Sequence, residues 1–244
     1  MILLSETFSV GKIDYHHYDG VWLWGSRGNR IFRSLDLGST WDEHLRLRGL
    51  NPLTQSSLYN RLIRNGIHNV IPIDTETVVI VVKKRFLIFE KERLVAEVQI
   101  RNGSRPLRQG VLKRNGQIIY GEYWGNPNRE PVSIYQFDPY RGNVEILLSL
   151  RNKRHIHFIK QDVYDQEKLL IGTGDKDHES TILSYDLDTG CLEVIGGGSQ
   201  DWRAVSILQK GDYLYWGSDC PYKQNYIYRY NRYTNWLEKI QPIP

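Results

Sequence analysis

The sequence predicts an all-β fold, a five-bladed β-propeller with four antiparallel strands in each blade. The first observation is composition, because 16 Tyr, 7 Trp and 21 Gly among 244 residues favour strands joined by glycine turns. The second is a repeat: short apolar runs that end in a polar or glycine turn recur five times, at a spacing of about 48 residues. Four strands repeated at such a spacing are typical of propellers, whereas a sandwich or barrel has no reason to repeat at that interval.

The recurring run is the predicted second strand of each repeat. Its five copies are GVWLWGS (20–26), TVVIVVK (77–83), QIIYGEY (117–123), KLLIGTGD (168–175) and YLYWGSD (213–219). One strand-like run precedes each copy and two follow it, which completes the four strands. The predicted blades span residues 12–49, 67–101, 108–151, 155–198 and 203–241, in one domain covering 1–244. Residues 50–66 are the one insertion, and residues 2–10 are predicted to pair with the last blade and close the ring.

One turn carries a specific motif. The run SLDLGSTW (34–41) fits Ser-x-Asp-x-Gly-x-Thr-Trp, the Asp-box pattern, at every position. Asp36 can accept hydrogen bonds from backbone N–H groups of the turn, Gly38 supplies a positive φ, and Trp41 can cover the turn. Degenerate versions follow at 137–145 and 185–193. The motif predicts a hairpin between the third and fourth strands and describes the fold rather than the chemistry.

Charge and composition exclude several classes of function. The formal net charge of +4 comes from basic residues that are interleaved with acidic ones, which predicts a mixed surface and no nucleic-acid partner. Two cysteines are too few for a disulfide framework. The chain starts without a signal-peptide pattern and has no apolar run of membrane-spanning length. We therefore expect a monomer without membrane contact that is cytoplasmic, or secreted if a leader has been removed.

Three carboxylates recur in register at the ends of predicted second strands. Glu122, Asp175 and Asp219 occupy this position in the third, fourth and fifth repeats. Strand ends of a propeller gather around a central pocket, so these side chains are predicted to share an acidic site. They are candidates for catalytic acid, base or nucleophile, and Tyr123 beside Glu122 is a further candidate nucleophile.

A histidine pair lies on the predicted first strand of the fourth blade. His155 and His157 alternate, so they face the same side of a strand. Such a pair can transfer protons in catalysis or hold a divalent metal, with calcium or zinc as the ions considered. The alternative is a pair of hydrogen-bonded histidines that line a polar channel.

Several other polar and aromatic residues are candidates for substrate binding. Arg203 enters the first strand of the last blade, where a guanidinium can hold a carboxylate through two hydrogen bonds. Arg129 and Asn126 follow Tyr123 in a loop, and the alternative for Arg129 is an ion pair with a neighbouring acid. Trp202 is a candidate stacking platform for a sugar. His68 lies on the first strand of the second blade and is predicted to approach the axis.

These residues carry a resemblance. The runs GEYWGNPNR, RHIHFIKQDVYD, TGDKDHES, QDWRAV, YWGSDCPY and YIYRYNR resemble a bacterial and archaeal group of BNR/Asp-box, sialidase-like propeller proteins associated with polysaccharides. The resemblance implies a glycan or oligosaccharide partner and no particular reaction. No Arg-Ile-Pro motif opens the chain, and sialidases of this type have six blades, so the sialidase mechanism does not carry over.

Three functions remain open from the sequence. The favoured hypothesis is a carbohydrate-active enzyme, either a glycoside hydrolase or a polysaccharide lyase, with a central polar site. The second is a non-catalytic, lectin-like or scaffolding propeller that binds glycans; its pockets should be equivalent, whereas the polar clusters here differ between repeats. The third is a protein-interaction propeller, which has no need of a charged, histidine-rich centre.

Overall fold

A computed structural model describes residues 13–48 and 66–244 of the protein. These residues form five four-stranded antiparallel sheets, each built from strands consecutive in the chain. Five such sheets are the blades of a five-bladed β-propeller, which confirms the predicted fold class. The chain divides into two compact units, Met1–Ile100 with Pro139–Gly142, and Arg101–Asp138 with Asn143–Pro244.

The first unit contains two sheets. Their strands are β1 (Asp14–Tyr18), β2 (Leu23–Arg27), β3 (Arg30–Ser34), β4 (Asp42–Arg46), β5 (Asn69–Pro72), β6 (Thr77–Val82), β7 (Arg85–Glu90) and β8 (Arg93–Gln99). Every residue of β6 is buried, as its continuous apolar sequence TVVIVV predicts for a strand covered on both faces. The edge strand β8 is mostly exposed.

The second unit contains the other three sheets. Their strands are β9 (Val111–Arg114), β10 (Gln117–Gly121), β11 (Val132–Phe137), β12 (Val144–Leu150), β13 (His155–Gln161), β14 (Lys168–Gly174), β15 (Thr181–Asp186), β16 (Leu192–Gly197), β17 (Leu208–Lys210), β18 (Tyr213–Gly217), β19 (Tyr226–Asn231) and β20 (Trp236–Pro242). Neighbouring sheets pack through apolar clusters; Phe158 of β13, for example, packs with Leu214 and Trp216 of β18.

Helical structure in the second unit is limited to single 3-10 turns. They cover Arg108–Gly110, Asp177–Glu179 and Gln200–Trp202. Among the described residues, no helix has the length and apolar character needed to cross a membrane.

The first strand of the last blade is shorter than predicted. The predicted last blade starts at residue 203, whereas its first strand, β17, covers only Leu208–Lys210, and Ala204 makes an isolated bridge to Ser218. The Ala204 carbonyl is directed to another blade, where it accepts a hydrogen bond from the His157 ring at 3.1 Å. The predicted pairing of residues 2–10, and all but the last residue of the insertion 50–66, lie outside the described residues.

The run 34–41 connects β3 and β4, which is the hairpin predicted for these residues. Asp36 accepts hydrogen bonds from Thr40 N at 2.8 Å, Thr40 Oγ1 at 2.7 Å and Ser34 Oγ at 2.7 Å. These bonds, that from the Thr40 backbone first, lower the pKa of Asp36 to about 2. Gly38 has a φ of 98°, and its carbonyl accepts a hydrogen bond from Trp41 Nε1 at 2.9 Å.

Hydrogen bonds from backbone N–H groups to a side-chain oxygen also stabilise two later hairpins. Asp186 Oδ1, at the end of β15, accepts hydrogen bonds from Thr189 N at 2.8 Å and Asp188 N at 3.1 Å. Asn231 Oδ1, at the end of β19, accepts from Tyr233 N at 2.9 Å and Thr234 N at 3.0 Å. A short polar side chain at the end of the third strand is therefore a repeated feature of the blades.

Gly172 allows β14 to approach a buried aromatic ring. A Cβ atom at this position would lie 2.1 Å from Cε1 of Phe158, which is fully buried. We therefore expect Gly172→Ala to lower the free energy of unfolding by about 3 kcal/mol, the upper range for overpacking a core. Urea unfolding followed by tryptophan fluorescence measures the loss. The control is Gly110→Ala, whose Cβ would make ordinary contacts from 3.7 Å. Equal stability of the two variants would contradict the expectation.

Candidate metal-binding site

The centre of the candidate site is the histidine pair of β13. His155 is the first residue of the strand, and the pairing of β13 with β14 shifts between Ile156 and Phe158, which places His157 at a β-bulge. Both imidazoles are more than nine-tenths buried. Their Nε2 atoms are 3.1 Å apart, so the two rings converge on the same space. Bulges of this kind re-aim side chains next to functional sites.

Backbone carbonyls fix the tautomer of both rings. His155 Nδ1 lies 3.0 Å from the Trp124 carbonyl oxygen, and His157 Nδ1 lies 3.1 Å from that of Ala204. A carbonyl oxygen only accepts hydrogen bonds, so each Nδ1 carries a proton and donates it. In the neutral state each Nε2 therefore presents a lone pair, and the two lone pairs point into the space between the rings.

Asp175 completes a group of three ligand atoms. It follows β14 directly, and its Oδ1 lies 3.2 Å from His155 Nε2 and 3.5 Å from His157 Nε2. Three electron-rich atoms this close repel one another unless a proton or a metal cation lies among them. His155, His157 and Asp175 are also a group of side chains whose ligand atoms all lie within 4.8 Å of one another.

Two arginines hold the carboxylate of Asp175. Arg154 Nη1 donates to Oδ2 at 2.6 Å, and Arg203 Nη2 donates to Oδ1 at 3.0 Å. Burial alone would raise the pKa of this carboxyl, but its contacts with the two imidazoles and the charge of Arg203 outweigh burial and hold the pKa well below its ordinary value. Asp175 therefore stays ionised and keeps Oδ1 directed at the imidazoles.

The geometry of the three ligand atoms fits a metal ion. Ligands bound at about 2.1 Å with tetrahedral to octahedral angles are separated by about 3.0–3.4 Å. The observed separations are 3.1, 3.2 and 3.5 Å. A hydrogen bond from the second ring nitrogen to a backbone carbonyl is also the usual support of a metal-bound histidine. Two nitrogens and one oxygen suit zinc, manganese or another transition metal better than calcium, which takes oxygen ligands.

Tyr123 lies against the histidine pair. Its ring centroid is 4.2 Å from that of His155 and 6.4 Å from that of His157. Residues from three blades therefore meet here: Tyr123 after β10, the histidines and Asp175 on and after β13 and β14, and Arg203 ahead of β17.

Glu122 has a different environment from Asp175, although both follow a second strand. Its side chain is 1% exposed. Its Oε1 accepts hydrogen bonds from Asn102 Nδ2 at 2.8 Å and from Tyr135 OH at 2.9 Å, and its Oε2 accepts from Ser133 N at 3.1 Å. These donors occupy the Glu122 carboxylate, whereas Asp175 is held by the histidine pair and by Arg154 and Arg203. The three acids therefore follow equivalent strands but differ in their partners.

Asp219 and Arg129 have partners that define their positions. Asp219 Oδ2 lies 3.9 Å from Arg203 Nη2, but the Asp219 side chain is 58% exposed and lies at the rim of the site. Arg129 forms an ion pair through Nε with the buried Glu179. The alternative that the sequence offered for Arg129, a pair with a neighbouring acid, is the observed arrangement.

Two of the other candidate substrate residues have structural roles, and the third belongs to the first unit. Asn126 is completely buried, and its amide bonds backbone groups. The Trp202 ring packs on Trp216, with centroids 5.2 Å apart, in the core of the last blade. His68 lies just ahead of β5 in the first unit, where it is half-buried.

Sequence reasoning missed two residues of the site. The position of Arg154, directly before the His-x-His run, could have indicated that it belongs to the site. Gln200 carried no such signal; it donates from Nε2 to the Asp175 carbonyl at 3.0 Å, and its buried Oε1 has no hydrogen-bond partner in the described part of the chain.

Comparison with known proteins supports the fold. No protein-family model and no curated protein sequence matches the chain. A solved structure described as the extracellular domain of a one component system from B. thetaiotaomicron aligns with a TM-score of 0.63 and 12% identity, over 98% of this chain and 29% of that one. The chain thus spans less than a third of that relative.

Two further structures share the fold. A protein from Bacteroides uniformis described as a 6-phosphogluconolactonase aligns with a TM-score of 0.56 and 16% identity, over 93% of this chain and 69% of that one. An oligogalacturonate lyase solved in complex with manganese aligns with a TM-score of 0.52 and 9% identity, over 91% of this chain and 62% of that one. At these identities the likeness shows a propeller fold alone.

Proposed function

We propose that the protein is a carbohydrate-active enzyme that acts on an anionic glycan with a divalent metal held by His155, His157 and Asp175. The observation that carries the proposal is the convergence of two imidazole Nε2 atoms and one carboxylate oxygen, with both Nδ1 protons held by backbone carbonyls. Membership of the BNR/Asp-box group is part of the proposal and is supported by the Asp-box hairpin at 34–41.

The charges around the site favour an anionic substrate. Arg154 and Arg203 bring two positive charges to two carboxylates, the Asp175 group they hold and the exposed Asp219 group at the rim. A bound divalent metal would give the site a positive excess. Arg203 Nε is buried and has no hydrogen-bond partner in the described residues, so it can donate to a substrate oxygen. An anionic sugar such as a uronate would supply both a negative charge for the site and an oxygen acceptor for Arg203 Nε.

Lyase chemistry fits these residues better than glycoside hydrolysis. A glycosidase needs two carboxyl groups, one of which stays protonated to act as the acid. The Asp175 pKa is lowered, and Glu122 is occupied by three donors, so neither is suited to that role. A lyase instead needs positive charge at the substrate carboxylate and a base for the proton beside it.

The residues of this chain can fill these roles. Arg203 and Arg154 orient the carboxylate of the sugar and favour the negative charge that develops on it. Tyr123, whose ring covers His155, is the candidate base: as the phenolate it would accept the proton beside the sugar carboxylate, and as the phenol it would return that proton to the departing glycosidic oxygen. When bound, the metal supplies Lewis-acid stabilisation of the same charge.

The test is an activity assay on metal-stripped protein that is reloaded with Mn²⁺, Zn²⁺ or Ca²⁺. Uronate-containing oligosaccharides are the substrates, and neutral glucans are the matched control. We expect metal-dependent formation of an unsaturated product, seen by ultraviolet absorbance, with uronate substrates only. New reducing ends without unsaturation would indicate a hydrolase. Binding without turnover would establish the non-catalytic glycan-binding alternative and overturn the proposal.

A further inference from the structure

Three consecutive residues after β10 form hydrogen bonds with Arg154 and His155, where the histidine strand β13 begins. The Trp124 carbonyl accepts a hydrogen bond from His155 Nδ1 at 3.0 Å. The Gly125 carbonyl accepts from Arg154 Nε at 2.8 Å. Asn126 Nδ2 donates to the Arg154 carbonyl at 3.2 Å. We call residues 124–126 the clamp segment, because each of its members contacts Arg154 or His155.

Asn126 is the anchor of the clamp segment. Its Nδ2 also donates to the carbonyls of Glu130 at 2.9 Å and Lys153 at 3.2 Å, and its Oδ1 accepts from Glu130 N at 2.9 Å. The side chain is fully buried, and the backbone has a φ of 35°, in the left-handed region that Asn tolerates better than most residues. Both polar atoms of the amide are thus committed to backbone groups, which leaves none for a substrate.

We propose that Asn126 is a positioning residue for the metal site. By holding the Lys153 and Arg154 carbonyls, it fixes the backbone from which the His155 ring and the Arg154 guanidinium project. The Trp124 carbonyl then keeps His155 in the tautomer with a free Nε2. Arg154 occupies Asp175 Oδ2, so the ion would share Oδ1 with Arg203 alone. The inference rests on the proposed metal site and assigns to Asn126 the control of its affinity.

The primary test is Asn126→Asp, which keeps the shape of the side chain and removes the amide donors. We expect the dissociation constants for Mn²⁺ and Zn²⁺, measured by isothermal titration calorimetry, to rise about tenfold, as for other outer-shell supports of metal ligands. The matched control is Asn128→Asp, an exposed position in the same loop with the same change of charge. Its metal affinity should equal that of the wild type.

A second variant separates positioning from a loss of stability. Arg129→Gln breaks the ion pair with Glu179 and the hydrogen bond from Arg129 Nη1 to the Asn126 carbonyl at 2.7 Å, which loosens the same loop. The side-chain amide of Asn126 keeps its own partners. We expect it to lower the melting temperature without the tenfold loss of metal affinity. If Arg129→Gln weakens metal binding as much as Asn126→Asp, Asn126 acts through stability alone and the inference is wrong. Asn126→Gly, which suits a positive φ, replaces the aspartate variant should that fail to fold.

The ring nitrogens of His155 give a readout that does not depend on metal. We expect the ¹⁵N chemical shifts of metal-free wild type to show a single Nδ1–H tautomer, and those of Asn126→Asp to show a mixture. Unchanged ¹⁵N shifts in the variant would overturn the inference, whatever the metal titration gives. Absence of metal binding in the wild type would instead overturn the proposed function, so the two failures are distinguishable.

Discussion

The His157→Asn variant is expected to lose divalent metal binding and glycan turnover while its melting temperature stays within a few degrees of the wild type. The Nδ2 atom of asparagine lies close to the position of the imidazole Nδ1, so the hydrogen bond to the Ala204 carbonyl is kept. The Nε2 ligand is removed. Because His157 is one of three protein ligands, we expect metal affinity to fall by at least a hundredfold.

The matched control for this variant is His178→Asn. His178 lies in the same blade, but its side chain is 71% exposed and points away from the histidine pair toward Glu179. Calorimetric titration with Zn²⁺ and the uronate assay compare the three proteins. Metal binding and turnover that persist in His157→Asn would remove His157 from the site. Equal losses in both variants would point to a nonspecific effect of replacing histidine.

The Asp175→Asn variant is expected to be less stable than the metal-free wild type at neutral pH. The amide leaves Arg154 and Arg203 without their shared carboxylate, and breaking a largely buried pair of this kind costs about 3 kcal/mol. Because the folded-state pKa of Asp175 is depressed, its stabilisation is complete above the ordinary pKa of 3.8 and is lost as the pH falls through the lower folded value. The difference between the two proteins should therefore shrink in acid.

Urea unfolding at pH 7 and pH 3 measures this difference. The control is Asp219→Asn, which removes an exposed carboxylate 3.9 Å from the same Arg203 and should change stability little at either pH. A stability difference between wild type and Asp175→Asn that is the same at both pH values would contradict the assigned ion pairs.

The fold was predictable because its signals are local. The second strand β6 is a continuous apolar run, and the hairpin at Asp36 depends on residues within a single turn. Repetition then combined five weak local signals into one architecture. The short length of β17 and the bond of the Ala204 carbonyl to His157 were missed, because contacts with another blade are not part of strand propensity.

The site was predictable only in part. Alternation placed His155 and His157 on one face, and strand position suggested Asp175. The same reasoning failed to separate Asp175 from Glu122, because the difference lies in what surrounds each carboxyl. Glu122 accepts hydrogen bonds from Tyr135 of its own blade and from Asn102, which precedes that blade, and these contacts depend on packing rather than on position in the repeat.

Asn126 is a second residue whose hydrogen-bond partners the sequence did not predict. A polar residue in a loop beside Tyr123 suggested contact with substrate. The structure instead directs all of its amide bonds to backbone groups, including two carbonyls ahead of β13. Sequence reveals that a side chain can form hydrogen bonds, but the partner is decided by which blade edge lies beside the loop.

The central claim is that His155, His157 and Asp175 bind one divalent metal ion. The most direct measurement is anomalous diffraction at the zinc or manganese edge from crystals of the metal-loaded protein. We expect a single strong peak at about 2.1 Å from both Nε2 atoms and from Asp175 Oδ1, a distance typical of such ligands. No anomalous peak among these three atoms under metal-saturating conditions, or an ion bound at other residues, would contradict the account.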